Sequence, residues 1–304
     1  MPKSKFGHSH EFLKRAQLLS NDEIVTIAKS AVELGVKKIR LTGGEPLLRK
    51  GLHHLVASLK EIEGLEDLSL TTNAIILTKK NARLLKEAGL DRVNISLDAL
   101  DDATFMKIND VGVSVHRVLE GIENAAEVGL SPVKINMVVQ KGLNEHSVLP
   151  MARHFHGSGH ILRFIEFMDV GQTNGWQEKD VYSSAQMVST IDSTLPIEPI
   201  DPDYRGEVAR RWRYKDGGGE VGFISSISQP FCNDCGRARL SAEGVLYTCL
   251  FASGGHDLKP RLGDPEQLTE HLRDLWTARR DRYSETRSHE SIIRPKIEMS
   301  YIGG

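Results

Sequence analysis

"RVNISLD", residues 92–98, alternates polar and apolar side chains without a break: Arg92, Asn94, Ser96 and Asp98 face one way, Val93, Ile95 and Leu97 the other. A parallel strand covered by helices is normally apolar on both faces. This strand therefore lies either at a wet edge or in a sheet whose polar face lines a ligand cavity. The neighbouring strand patterns favour the cavity, because Thr71, Thr72, Asn73, Lys134, Asn136, Arg163 and Glu166 stand on or at the ends of other candidate strands.

Those candidates are "KKIRLT" (37–42), "LSLTTN" (68–73), "VKINMVV" (133–139) and "LRFIEFM" (162–168), each preceded by a helical pattern. "SNDEIVTIAKSAVELG" opens with Ser20 or Asn21 as a cap and places Ile24, Ile27, Ala28 and Ala31 on one face. Gly35, Gly89 and Gly129 end three of the helical stretches. The alternation predicts repeated βα units, in a doubly wound sheet or part of a barrel, with the working surface at the carboxyl ends of the strands. No dinucleotide fingerprint follows the first strand, and no G-x-x-x-x-G-K-[ST] run occurs.

The chain has 304 residues, a net charge of −2 and 26% charged residues. That balance argues against a nucleic-acid or anionic-membrane partner, so an anionic ligand needs a local cluster of Arg and Lys. No apolar run reaches membrane-spanning length and the opening "MPKSKFGHSHEFLKR" has no signal-like apolar centre, so a cytoplasmic chain is expected.

Beyond residue 200 the texture changes. "ARRWRYKDGGGEVGFISS" predicts a hairpin turning at Asp216–Gly219, which makes the basic-aromatic run Arg210–Tyr214 a strand and not a nucleic-acid motif. "DPEQLTEHLRDLWTARRDRY" predicts an amphipathic helix. Between them "FCNDCGRARLSAEGVLYTC" (231–249) holds all three cysteines, Cys232, Cys235 and Cys249, as C-x2-C-x13-C. Zinc would need a fourth ligand, for which His256 is the nearest candidate; an iron–sulfur cluster accepts three thiolates when another ligand completes its last iron. Arg237 and Arg239, two residues apart, offer paired guanidinium forks suited to phosphate or carboxylate.

With these residues in view, the chain resembles the molybdenum cofactor biosynthesis protein A family, the GTP 3′,8-cyclases of the radical S-adenosylmethionine superfamily. "IRLTGGEPLLR", "TTN", "NISLD", "VKIN", "RFIEFM", "FISSISQPFCNDCGRARLSAEG", "CLF" and "SYIGG" occur in family order. The resemblance implies an α/β fold, an incomplete (β/α)6 TIM-like barrel lacking its first strand, over residues 1–200. It implies a C-terminal domain, 201–304, that binds GTP and a [4Fe–4S] cluster on Cys232, Cys235 and Cys249, with the open iron facing guanine. It assigns Arg40, Thr71, Lys134 and the run Arg237, Ala238 and Arg239 to GTP, and Gly44, Ser96 and Met168 to S-adenosylmethionine. Glu45 would accept from the ammonium group of S-adenosylmethionine. Arg163 and Asn73 would belong to the wall. The terminal Gly303–Gly304 pair would enter the active site, and the enzyme would be a homodimer.

The family's first cluster uses a C-x3-C-x2-C run for which this sequence has no cysteines. The expectation is therefore a truncated chain that is inactive as it stands. Rival expectations are a non-catalytic metal- and nucleotide-binding relative, a radical enzyme acting on a peptide, and a hydrolase built on His154, His156 and His160.

Overall fold

A computed structural model describes residues 15–110, 112–287 and 296–303. The alternating stretches become strands of one sheet: β1 (Lys38–Leu41), β2 (Asp67–Thr72), β3 (Arg92–Ser96), β4 (Lys134–Val139) and β5 (Ile161–Glu166). After them come β6 (Ile197–Pro199), β7 (Arg210–Tyr214) and β8 (Glu220–Ile224). The spatial order is β1-β2-β3-β4-β5-β8-β7-β6. Neighbours from β1 through β5 to β8 run parallel, whereas β7 and β6 join antiparallel. The first five strands lie side by side in chain order, so the sheet has no switch point of the doubly wound kind. The expected hairpin is β7–β8, and it extends this large sheet beyond residue 200.

Helices cover the apolar face. They are α1 (Asn21–Glu33), α2 (Leu52–Lys60), α3 (Lys79–Glu87), α4 (Asp102–Asn109), α5 (His116–Glu127), α6 (Val148–Phe155) and α7 (Ser184–Asp192). Ser20, not Asn21, caps α1, with Glu23 reaching back to complete a capping box. Gly35, Gly89 and Gly129 follow the last residues of α1, α3 and α5 as expected. Leu70, Ile95, Ile135 and Phe164 are buried beneath this layer.

The other face is polar, in three rows set by register. Arg40, Ser69 and Arg92 align across β1, β2 and β3. Thr71, Asn94 and Lys134 align across β2, β3 and β4, and Ser96, Asn136 and Arg163 across β3, β4 and β5. The polar half of "RVNISLD" is thus a central strand's inner face and no edge. Two residues expected on that face lie elsewhere, because their even positions share parity with the apolar side. Thr72 donates its hydroxyl to Glu45 at 2.7 Å, and Glu166 is fully buried on the helix side.

Beyond the sheet, β9 (Arg239–Leu240), β10 (Val245–Tyr247) and β11 (His256–Asp257) form a small antiparallel sheet. The amphipathic helix α8 (Pro265–Thr277) packs on α1 through Leu19, Ile27, Leu258, Leu268 and Leu272, which anchors the cysteine-bearing segment to the start of the fold. A last turn, α9 (Met299–Ile302), follows. Among the described residues no helix is long and apolar enough to cross a membrane.

Glu166 ties the end of β5 to two other segments. Its carboxylate accepts backbone N–H bonds from Ser184 (2.8 Å), Ile227 (2.9 Å) and Ser228 (2.9 Å), and the Ser228 hydroxyl as well. Ile227 and Ser228 lead into the cysteine loop, so this carboxylate positions its approach. Glu166→Ala leaves three backbone donors without an acceptor and is expected to cost about 3 kcal/mol or more, read by urea unfolding.

Asp98, just past β3, accepts the Val138 N–H at 2.8 Å. Burial pushes its carboxyl up to about 6, against the opposing effect of that bond. A raised carboxyl favours the protonated form in the folded chain, so its stabilising contribution is complete below about pH 4 and lost as pH rises through 6. Asp98→Asn keeps an acceptor and stays neutral; its melting temperature should gain on the parent chain as pH rises from about 4 to about 7.

Candidate active site

Six cationic side chains converge on the polar face and its C-terminal neighbour. Arg40 comes from β1, Arg92 from β3, Lys134 from β4, Arg163 from β5, Arg237 from the cysteine loop and Arg239 from β9. Four of them, Arg40, Lys134, Arg163 and Arg239, are lowered by burial and by neighbouring cations. Burial, then Arg92, Arg163 and Arg237, lower the Arg40 guanidinium to about 10, with Tyr204 opposing. Arg40 nevertheless keeps solvent access, which marks it as lining an open cavity and not as core. Burial, then Arg163 and Arg92, lower Lys134 to about 8, against Glu207 and Asp67. Arg163 is also lowered by burial and Arg92. Arg239 falls to about 10 through burial and Arg237, with Cys235 and Cys249 opposing.

Acidic residues offset part of this charge. Arg92 is held by Asp67, Nε to Oδ1 at 3.0 Å. Glu207 stands near Lys134 and Arg163, and Tyr204 covers Lys38, whose ammonium lies 3.4 Å from the ring centre. No motif or periodicity pointed to Tyr204 or Glu207, which sit in an irregular segment between β6 and β7. Thr71 lies on the same face and accepts from the Asn94 amide at 3.4 Å. Ala238 is exposed between the two arginines.

The three cysteines are free and half-buried. Burial alone would raise the Cys235 thiol, but Arg237 and Arg279 outweigh it and bring it to about 7. Arg237 donates through Nε and Nη2 to Cys235 Sγ at 3.4 and 3.2 Å, and its guanidinium stacks 5.1 Å from the Phe231 ring centre. The expectation that Arg237 and Arg239 share one strand face therefore fails: Arg237 precedes β9 and turns to sulfur. Arg279, from the "ARRDRY" run, was missed as a site residue; its Nη1 donates to the Cys235 carbonyl at 2.6 Å. Burial pushes the Cys249 thiol up, only partly offset by the Phe251 N–H and Arg239.

Among the described residues no three Cys, His, Asp or Glu side chains are close enough to hold a single metal ion. A cluster makes a different demand, since each thiolate binds a separate iron. Cys235 and Cys249 lie beside Arg237, Arg239 and Arg279, and with Cys232 opening the same turn as Cys235 the three thiols fit such an anionic group by donor chemistry. His256 does not complete the set: it is exposed on β11, and it joins no group of three such side chains among the described residues. No cysteine remains for another cluster. His154, His156 and His160 form no metal group either: His156 pairs with Asp216 at 3.0 Å and the other two pack against Phe155.

At the strand ends, a Cβ on Gly44 would enter open space, and Ser96 is exposed. Met168 is half-buried, with its carbonyl accepting from Asn174 at 2.8 Å. Beside Ser96 and Arg163 in register, the buried Asn136 Oδ1 has no hydrogen-bond partner. Glu45 is busier than expected: it accepts from Leu47 N, Thr72 Oγ1 and Asn73 N at 3.0, 2.7 and 2.8 Å. A carboxylate has about four acceptor sites, so one is left for a ligand. Gly303 is buried with φ +76, and a Cβ there would stand 2.5 Å from Thr42 Cγ2. Only glycine fits, so this is no frayed end. Gly304 and the opening "MPKSKFG" lie outside the described residues.

Sequence models of known families match in two parts, the Radical SAM superfamily over residues 4–155 and Molybdenum Cofactor Synthesis C over 160–285. A protein named GTP 3′,8-cyclase from Xanthomonas campestris pv. campestris (strain 8004) is 53% identical over 289 residues, covering 95% of this chain and 85% of its own. One of the same name from Staphylococcus aureus (strain MRSA252) is 46% identical over 311 residues, covering 100% and 91%. Among solved structures, Streptococcus suis SuiB bound to S-adenosylmethionine aligns with a TM-score of 0.63 at 14% identity, over 88% of this chain and 60% of that one. Native anSMEcpe with bound AdoMet aligns at 0.55 and 15%, over 82% and 71%. These two show the fold alone: α/β with a mostly parallel sheet. None of the comparisons supports an inert chain or a non-catalytic relative. More than half identical to one such protein along nearly its whole length, this chain belongs to the GTP 3′,8-cyclase family of the radical S-adenosylmethionine superfamily.

Proposed function

We propose that this chain binds GTP along its cationic face and acts as a GTP 3′,8-cyclase in molybdenum cofactor biosynthesis, joining the ribose 3′ carbon to C8 of guanine. The observation that carries the reading is the cationic face on which burial and neighbouring cations lower the proton affinity of Arg40, Lys134, Arg163 and Arg239, a condition that an anion of high charge relieves. In this reading the large sheet is the arc of an incomplete six-unit barrel. Residues 201–304 act as the cluster- and nucleotide-binding unit, although their first hairpin is built into that sheet. We place the enzyme in the cytoplasm, as a homodimer.

Arg40, Lys134 and Arg163 reach the triphosphate from the strands, with Thr71 offering a hydroxyl beside them. Arg239 and Arg237 approach from the cysteine side, and the main chain at Ala238 lies between them. Cys232, Cys235 and Cys249 would hold a [4Fe–4S] cluster through three thiolates and would place it beside the nucleotide. Gly44, Ser96, Met168 and the spare acceptor of Glu45 hold S-adenosylmethionine at the strand ends, with Asn136 Oδ1 an added acceptor. When bound, S-adenosylmethionine would supply the radical chemistry, and no residue of this sequence is assigned to the cluster that reduces it; the chain's own residues fix the distance between reacting carbons and keep water out.

Lys134 gives the test its signature. At about 8 its ammonium is half discharged near that pH, and a phosphate beside it draws the proton back. GTP binding should therefore take up a proton near pH 8, seen as a dependence of calorimetric enthalpy on buffer ionisation. The uptake should vanish in Lys134→Arg. Affinity should fall as pH climbs past 8, and Arg239→Ala should weaken GTP by about tenfold or more. Guanosine binding as tightly as GTP would sink the assignment of this face to phosphate.

A further inference from the structure

The segment that closes the chain is pinned by two carboxylates. Asp169, which follows Met168 directly, is 3% exposed. Its Oδ2 accepts from Lys296 Nζ at 2.8 Å and from the Tyr283 hydroxyl, and its main-chain oxygen takes the same ammonium at 3.0 Å. Arg287 Nη2 lies 3.1 Å from Oδ1. Lys296 is itself 7% exposed, 4.7 Å from the Tyr283 ring centre, and that ring stacks on Phe251 at 4.5 Å. Burial pushes the Asp169 carboxyl up, yet Lys296, Tyr283 and Arg287 outweigh it and hold it below the usual range.

Two residues on, Glu298 accepts the backbone N–H groups of Gln172 (2.8 Å) and Thr173 (3.1 Å) and the Thr173 hydroxyl (3.1 Å). Gly171 makes room: with φ +67, a side chain there would also collide with the Glu298 carboxylate. Between these anchors the Ile297 N–H donates to the Ala252 carbonyl at 3.0 Å, three residues past Cys249. At its end Gly303 packs on Thr42. One strap, residues 296–303, thus touches the loop after Met168, the turn after Cys249 and the loop leading to Gly44.

We propose that Asp169 is a positioning residue: by holding Lys296, with Glu298 as its second anchor, it sets the strap that registers these three loops to one another. The proposal rests on the reading above only in naming the loops as ligand-bearing. Losing Asp169 strands two buried cations, whose best escape is to release the strap into water.

The test is carboxypeptidase release of the terminal glycines from the folded full-length chain, followed by mass spectrometry. Asp169→Asn should release them about tenfold faster or more, since opening of the strap limits cleavage. Should that variant not fold, Glu298→Gln, at a half-buried position, should still speed release, and Glu298→Asp, which keeps the charge, should return the rate towards the parent's. A purely fold-holding role would lower the melting temperature without this rescue. Release at the parental rate from either folded variant, Asp169→Asn or Glu298→Gln, overturns the proposal. Because the measurement needs no nucleotide, a failed GTP titration leaves it standing.

Discussion

The burial of cationic side chains beside one another, Arg40, Lys134, Arg163 and Arg239 with Arg92 and Arg237 as neighbours, is the constraint around which the rest of the molecule is arranged. A chain of net charge −2 gathers six cations about one face, where burial and neighbouring cations lower the proton affinity of four of them. Such an arrangement lowers stability unless an anion arrives, and proteins keep strain of this kind mainly where it serves binding. The sheet makes it tolerable by separating its faces. Helices and a continuous apolar layer of Leu70, Ile95, Ile135 and Phe164 hold the strands together, so the inner face is free to be polar.

Carboxylates at the strand ends then govern the loops. Glu45 joins the loop after β1 to the end of β2, Glu166 joins β5 to α7 and the approach to Cys232, and Asp169 gathers cations from the C-terminal segment. Glu45 and Glu166 accept mainly from backbone N–H groups. Such bonds hold a loop's path without adding a cation to a site already crowded with them.

Much of this was legible in the sequence because it depends on local chemistry. The five strands from "KKIRLT" to "LRFIEFM", the hairpin at Asp216–Gly219 and α8 follow from side-chain period and turn residues. Arg40, Lys134 and Arg239 could be named from motifs, and the structure puts them on one surface. Thr72 and Glu166 were misplaced because a polar residue near a strand end can serve a loop as readily as a cavity, and only parity separates the two. Arg92 stood in the opening motif, but its part in the cationic set depends on register with β1 and β2. Tyr204, Glu207, Arg279 and Asp169 were not readable, since their partners lie tens of residues or more away in sequence and no spacing rule links them.

The hairpin β7–β8 has one more consequence. Because β8 is hydrogen-bonded in register to β5, the cysteine loop that follows Ile224 hangs from the same rigid sheet as Lys134 and Arg163. Seven residues, 225–231, join β8 to Cys232, and Glu166 holds two of their N–H groups at the end of β5, so the span between the two groups of ligand-bearing residues is set from strand register. Adding or deleting even one residue between Ile224 and Cys232 would misalign sulfur against sheet, so the length of that connector is as constrained as the identity of the cysteines it delivers.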